Sequence, residues 1–180
     1  MKKLLLLLIF VPLIVLSQFR GVDWGSTKQA TIAILGEPNK VLDNGIIYTD
    51  FVLGEKKVYT MCYFDNNKLY KGAYILNESH SNKNDYLFDF SDWKKALIEK
   101  YGEPIEDEVI WKNDLFKGKT QDYGMAISVG HLVLYAIYEE GDTSIECSIS
   151  GDNYELTVKI IYSSKSLSDV KTKKINTEGF

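Results

Sequence analysis

With 25 acidic and 21 basic side chains in 180 residues, and Arg20 as its single arginine, the chain is acidic and almost free of arginine. Nucleic-acid and phosphate sites favour arginine forks on a basic surface, so neither ligand class is expected. Its two cysteines are too few for a disulfide scaffold.

The first stretch, "MKKLLLLLIFVPLIVLSQ", carries Lys2 and Lys3 and then thirteen apolar residues from Leu4 to Leu16. That is the charged and apolar pattern of a secretory signal. It is short of the ~20 apolar residues a membrane-spanning helix needs. Cleavage is expected near Ser17 or Gln18, which makes the protein periplasmic or secreted; an uncleaved N-terminal anchor is the alternative. No cysteine follows the apolar run, so no lipid-attachment site is expected there. Without Lys2 and Lys3, 19 basic and 25 acidic side chains remain, a net charge near −6.

Next comes "WGSTKQATIAILGEP". Ser26 with Gln29 three residues on reads as a capping box. Ala30, Ile32, Ala33 and Ile34 supply the apolar stripe, and Gly36 and Pro38 end the helix. "NKVLDNGIIYTDFV" then reads as a strand. "VYTMCYFDNNKLYKGAYIL" reads as a hairpin turning at Asn66-Asn67. After a polar link containing His80, "FSDWKKALIEKYGEP" repeats the helix. Ser91 is the candidate cap, Trp93, Ala96, Leu97 and Tyr101 are the apolar face, and Gly102 and Pro104 are the stop. The two GEP triplets lie 66 residues apart. "IEDEVIWKNDLF" gives a strand, "KGKTQDYGMAISVGHLVLYAIYEEGD" one or two more, and "SIECSISGDNYELTVKIIYS" a hairpin turning in Gly151-Asp152-Asn153.

Two rounds of helix, strand and hairpin predict an α+β fold of two tandem helix-plus-antiparallel-meander units, with helices packed on one face of each sheet. Residues 1–18 form the leader, 19–84 the first unit, 85–163 the second, and 164–180 a polar tail that is loose or briefly helical.

The "W-G-S/T…LGEP" run, the "F-x-N/D-N-K-L" hairpin and the aromatic-rich strands around them resemble the helix-plus-meander units of the beta-lactamase inhibitory protein. They are similar also to those of the small outer-membrane assembly lipoproteins. The resemblance implies a protein that binds other proteins or shapes envelope assemblies and has no active site. It does not carry over the lipidated cysteine, and no residue here matches a known inhibitor contact.

Strand alternation separates the faces of each hairpin. In the second, Ile145, Cys147, Ile149, Leu156, Val158 and Ile160 make an apolar side, and Ser144, Glu146, Ser148, Thr157 and Lys159 a polar one. In the first, a two-residue turn sets Phe64 opposite Leu69, Thr60 opposite Ala73 and Val58 opposite Ile75, with Cys62 among them on the core side. Lys71 is then a misfit that must reach the sheet edge. The other side gathers Tyr59, Met61, Tyr63, Tyr70 and Tyr74 where the second hairpin carries serine, glutamate and lysine. Two readings stay open for this side: a seam covered from within the molecule, or an exposed protein-binding patch.

His80 and His131 have no partner at metal-ligand spacing. No G-x-S-x-G elbow, phosphate loop or dinucleotide fingerprint occurs. No catalytic residue, metal ligand or cofactor is therefore expected. Cys62 and Cys147 read as core thiols, with a bridge between them as the lesser alternative. The expected function is an exported, non-catalytic protein-binding module of the bacterial cell envelope, an inhibitor or assembly factor. Its partner would be another envelope or extracellular protein, with membrane contact only if the leader stays on. The alternatives are an enzyme with a carboxylate site between the units and a structural envelope component.

Overall fold

The computed structural model describes residues 18–168; the leader expected at 1–18, apart from Gln18, and the tail beyond Ser168 lie outside the described residues. The chain opens with a small antiparallel ribbon, β1 (Gln18–Phe19) and β2 (Val22–Asp23), followed by α1 (Lys28–Leu35). Strands β3 (Lys40–Leu42), β4 (Gly45–Leu53), β5 (Lys56–Asp65) and β6 (Lys68–Leu76) follow, and then α2 (Asp85–Tyr101). The rest is β7 (Glu106–Trp111), a 3-10 turn at Thr120–Asp122, α3 (Tyr123–Ser128), β8 (Leu132–Glu140), β9 (Thr143–Asp152) and β10 (Glu155–Ser164). Among the described residues no helix is long and apolar enough to cross a membrane.

The fold is α+β, but β3 to β10 do not divide into one sheet for each unit. They form one eight-stranded sheet in the order β3-β4-β5-β6-β10-β9-β8-β7, every pairing antiparallel. The middle is closed by β6 against β10, where Ala73 faces Ile161 and Tyr74 faces Ile160.

Both GEP triplets do end helices. Gly36 takes φ 90° and donates its N–H to Ile32 O; Gly102 takes φ 82° and donates to Ile98 O. That left-handed range is open to glycine without steric cost. The helix starts differ from expectation. Thr27, not Ser26, caps α1, its hydroxyl accepting from the Ala30 N–H at 3.1 Å. On α1 the buried residue is Thr31, whose hydroxyl bonds back to Thr27 O, while Ala30, Ala33 and Ile34 are exposed. The second helix begins at Asp85, so Ser91 sits in mid-helix rather than at its cap, and α2 is 17 residues long.

Two further stretches depart from their reading. "NKVLDNGIIYTDFV" holds two strands around Asp43-Asn44, and the insertion read as one or two strands holds the 3-10 turn and α3 ahead of its one strand, β8. Short segments of mixed apolar residues do not distinguish helix from strand by periodicity. The second hairpin turns on Asn153 and Tyr154, both at positive φ, so it uses the last residue of the expected Gly151-Asp152-Asn153 cluster and the one after it. Asn66 and Asn67 turn the first, as expected.

The core lies on one side of the sheet. Ile46, Tyr48, Val58, Cys62, Phe64 and Tyr74 on the β3–β6 half meet Tyr138, Ile145, Cys147, Ile149, Val158 and Ile160 on the other. The helices complete that side with Ile32 and Leu35, with Phe90, Trp93 and Leu97, and with Ala126 and Ile127. Phe19 fills the middle, its ring 5.0 Å from that of Tyr74 and 5.5 Å from that of Tyr162.

Cys62 and Cys147 are both buried and both free. With β6 and β10 between β5 and β9, three strand spacings, or about 14 Å, separate them, twice the reach of a disulfide. The bridge left open by the sequence is therefore not formed. Burial pushes each thiol up to about 12. A pKa raised by folding contributes stability below the unfolded value and loses it as pH climbs through the window up to the folded one. From about pH 8.5 upward, where free thiols ionise, the urea midpoint is expected to fall. Cys62→Ala plus Cys147→Ala should flatten that fall between the thiol and tyrosine ranges, and reductant should leave the intact mass of the native protein unchanged.

Candidate functional site

The face opposite the core was read from the sequence as one patch of five residues. The structure brings four of them together. Along β5, Tyr59, Met61 and Tyr63 alternate with the buried Val58, Thr60, Cys62 and Phe64, as expected for a strand with one wet side. Phe64 pairs with Leu69, but Tyr63 pairs with Lys71, so Tyr70 is an extra residue on β6. This β-bulge sets two residues against one. Tyr70, Lys71 and Tyr63 thus share the outer side, and together they line one depression.

The bulge reverses the phase of everything after it. Gly72 and Tyr74 turn inward and Ala73 and Ile75 outward. Tyr74, assigned to the patch from the sequence, is instead 6% exposed on the core side, its ring packed on Phe19 and Tyr162 and its hydroxyl accepting from Arg20 Nη1 at 3.3 Å. Burial raises the pKa of its hydroxyl, with Arg20 opposing. Lys71 ceases to be a misfit. The pairs expected as Thr60 with Ala73 and Val58 with Ile75 become Thr60 with Tyr74 and Val58 with Leu76. No residue type marks the bulge; the only sequence signal was Lys71, awkward in a strictly alternating register.

The outer side can be followed from edge to edge by register. One row runs Lys40, Ile47, Met61, Ala73, Ile161, Glu146, Ile137, Glu106. The next runs Tyr59, Ile75, Lys159, Ser148, Tyr135, Glu108. None of the apolar members of either row belongs to the core cluster or packs against it. Tyr59 is 39% exposed, Met61 and Tyr63 are half-buried, and Tyr70 is 9% exposed. Tyr63 donates to Met61 Sδ at 3.3 Å, and burial with Tyr70 beside it raises its pKa. Two shallow depressions mark this face. One of about 340 Å³ lies between Tyr63, Tyr70, Lys71, Ile75, Lys159 and Ile161; the other, of about 280 Å³, lies between Tyr135, Ile137, Glu146 and Ser148.

The opposite side holds a groove of about 450 Å³ between the β4–β5 turn and α2, floored by Leu53, Tyr74, Trp93, Leu97, Ile160 and Tyr162. Glu55, Lys56, Asp92 and Lys100 stand at its rim. Asp92 is exposed and pairs with Lys95 at 3.7 Å. Next to the groove lies a cluster the sequence reading missed. The buried Asp89 accepts from Lys56 Nζ at 2.9 Å and contacts His80 Nε2 at 2.5 Å, while Lys56 also approaches Glu78 at 3.7 Å. The His80 ring meets that of Tyr86 edge-on at 4.6 Å. This network ties the β6–α2 link to α2 and to the start of β5. Its charged members come from three separate segments, so no local spacing announced it. His131 packs on Phe116, and its Nδ1 is buried without a hydrogen-bond partner. Among the described residues no three His, Cys, Asp or Glu side chains gather as a metal site.

No family model, no curated protein and no solved structure matches the chain.

Proposed function

We propose that this chain is an exported, non-catalytic protein-binding module of the cell envelope, and that the outer face around Tyr59, Met61, Tyr63 and Tyr70 is its binding surface. The observation that carries the reading is a contrast between equivalent places. A twofold axis drawn normal to the sheet through the Ala73–Ile161 pair exchanges β5 with β9 and β6 with β10. It brings Cys62 onto Cys147, Tyr74 onto Tyr162 and Lys71 onto Lys159 in the register grid. This supports two tandem helix-plus-meander units, and with them the resemblance to the beta-lactamase inhibitory protein and the small assembly lipoproteins. On that axis Tyr59, Met61 and Tyr63 correspond to Ser144, Glu146 and Ser148. A position that folding alone leaves polar in one unit is aromatic in the other. Clustered Tyr and Met on the sheet face away from the core is the composition of protein contact surfaces. The groove beside α2 supports the enzyme alternative less well, because its floor is hydrocarbon and its carboxylates sit at an open rim.

The test is recovery of bound protein from the envelope fraction of the producing cells, identified by mass. Tyr63→Ala plus Tyr70→Ala is expected to retain cooperative unfolding and lose the recovered protein. Because Tyr70 is nearly buried, Tyr59→Ala plus Tyr63→Ala serves as a second variant. Undiminished recovery with both would refute the reading.

A further inference from the structure

The charges on the outer face are divided by sign. On the β3–β6 half, Lys40, Lys57 and Lys71 point outward by register, against the exposed Asp50 in the β4 bulge opposite Tyr59, and Asp65 is matched by Lys68 directly across the hairpin. On the β10–β7 half, Glu106, Glu108, Glu139 and Glu146 point outward, against Lys159 on the strand and Lys165 reaching Glu139 at 3.0 Å. Lys159 is itself 3.8 Å from Glu146. Across both halves runs the row of Ile47, Met61, Ala73 and Ile161, interrupted by Glu146 before Ile137. The face is therefore basic and aromatic at one end, acidic at the other, and apolar from Ile47 to Ile161 across its middle.

We infer that this face pairs with the same face of a second copy of the chain, about a twofold axis parallel to the central strands. The inference rests on the reading of the face as a protein-binding surface and names its occupant. Such an axis lays β6 over β10 of the second copy, β5 over its β9, and β3 over its β7. The basic half of each molecule then covers the acidic half of the other, twice, as an isologous interface requires. Each row lies over itself in reverse, so Lys40 stands above Glu106 of the second copy, Ile47 above Ile137, Met61 above Glu146, and Ala73 above Ile161. A perpendicular axis in the same plane would instead set Glu106 over Glu106 and Glu146 over Glu146, which like-charge repulsion opposes. Face-to-face sheets pack about 10 Å apart, with strand directions within about 30°. Seven strand spacings by nine residues give a face of roughly 34 by 30 Å. That is about 1,000 Å², above the ~800 Å² per partner of a standard stable interface.

Sedimentation equilibrium on the protein purified from its producing cells tests this, up to about 100 μM. The wild type should be dimeric and its association should weaken with added salt. Lys40→Glu plus Lys71→Glu, and separately Glu106→Lys plus Glu108→Lys, should each weaken self-association by roughly tenfold or more. An equimolar mixture of the two variants should restore wild-type affinity, because the reversed halves then match. A monomeric wild type, variants that dimerise undiminished, or a mixture that is not restored would each overturn the inference. If the wild type is monomeric while Tyr63→Ala plus Tyr70→Ala still loses its recovered protein, the second copy is ruled out and the protein-binding surface stands.

Discussion

Gly72→Ala is expected to cost about 2–3 kcal/mol of stability and Phe19→Ala about 3–5, yet the double variant should cost clearly less than their sum. A Cβ built on Gly72 would lie 2.3 Å from Cδ1 of Phe19, inside the ring's van der Waals surface. The glycine is not there for its backbone, which carries no positive φ and would accept alanine. It is there so that a ring from the far end of the chain can lie flat on the sheet at its midline, beside Tyr74 and Tyr162. Removing the ring removes the clash, so the alanine methyl would then fill part of the cavity left by Phe19. Contacting residues couple in this way, whereas distant ones add. The cycle is read from urea midpoints of the four proteins. Strict additivity would show that Phe19 does not rest on Gly72. The consequence reaches the N-terminus: Phe19 is 1% exposed and Val22 fully buried, so the residues that follow the expected leader are part of the core.

The same midline shows what could be read without coordinates and what could not. Gly36 with Pro38 and Gly102 with Pro104 marked both helix ends because chain termination is local chemistry. The alternation in β9 and β10 gave the correct faces because that hairpin is regular through all ten of its pairs. Four features escaped. The β6–β10 pairing that merges everything into one sheet depends on strand edges far apart in sequence, and nothing in either strand names its neighbour. The docking of Phe19 is a contact across more than fifty residues. The bulge at Tyr70 changed the face of every later residue of β6, since a shift of one residue reverses a period-two pattern. The burial of Asp89 also escaped, because Lys56 and His80 converge on it from other segments of the chain.

Tyr74→Ala should destabilise the protein by about 3–5 kcal/mol, while Tyr59→Ala and Tyr63→Ala should each cost about 1 kcal/mol or less. The sequence placed all three side by side, so the contrast tests the bulge directly. Tyr74 loses its packing on Phe19 and Tyr162 and leaves Arg20, 4.0 Å above the Phe51 ring, without its hydroxyl acceptor. Tyr74→Phe separates the two contributions: it keeps the ring and should cost only the 0.5–1.5 kcal/mol of a net hydrogen bond. Tyr59 and Tyr63 stand on the opposite side, where truncation uncovers sheet rather than hollowing the core. Thermal unfolding ranks the four variants, and recovery of bound protein ranks them in the reverse order if the outer face is the contact surface. Equal destabilisation by Tyr63→Ala and Tyr74→Ala would mean that β6 runs without its extra residue, with all five side chains back on one face. The outer surface would then lose Lys71 and Ile75, and with them both the depression beside Tyr63 and the basic half of the face.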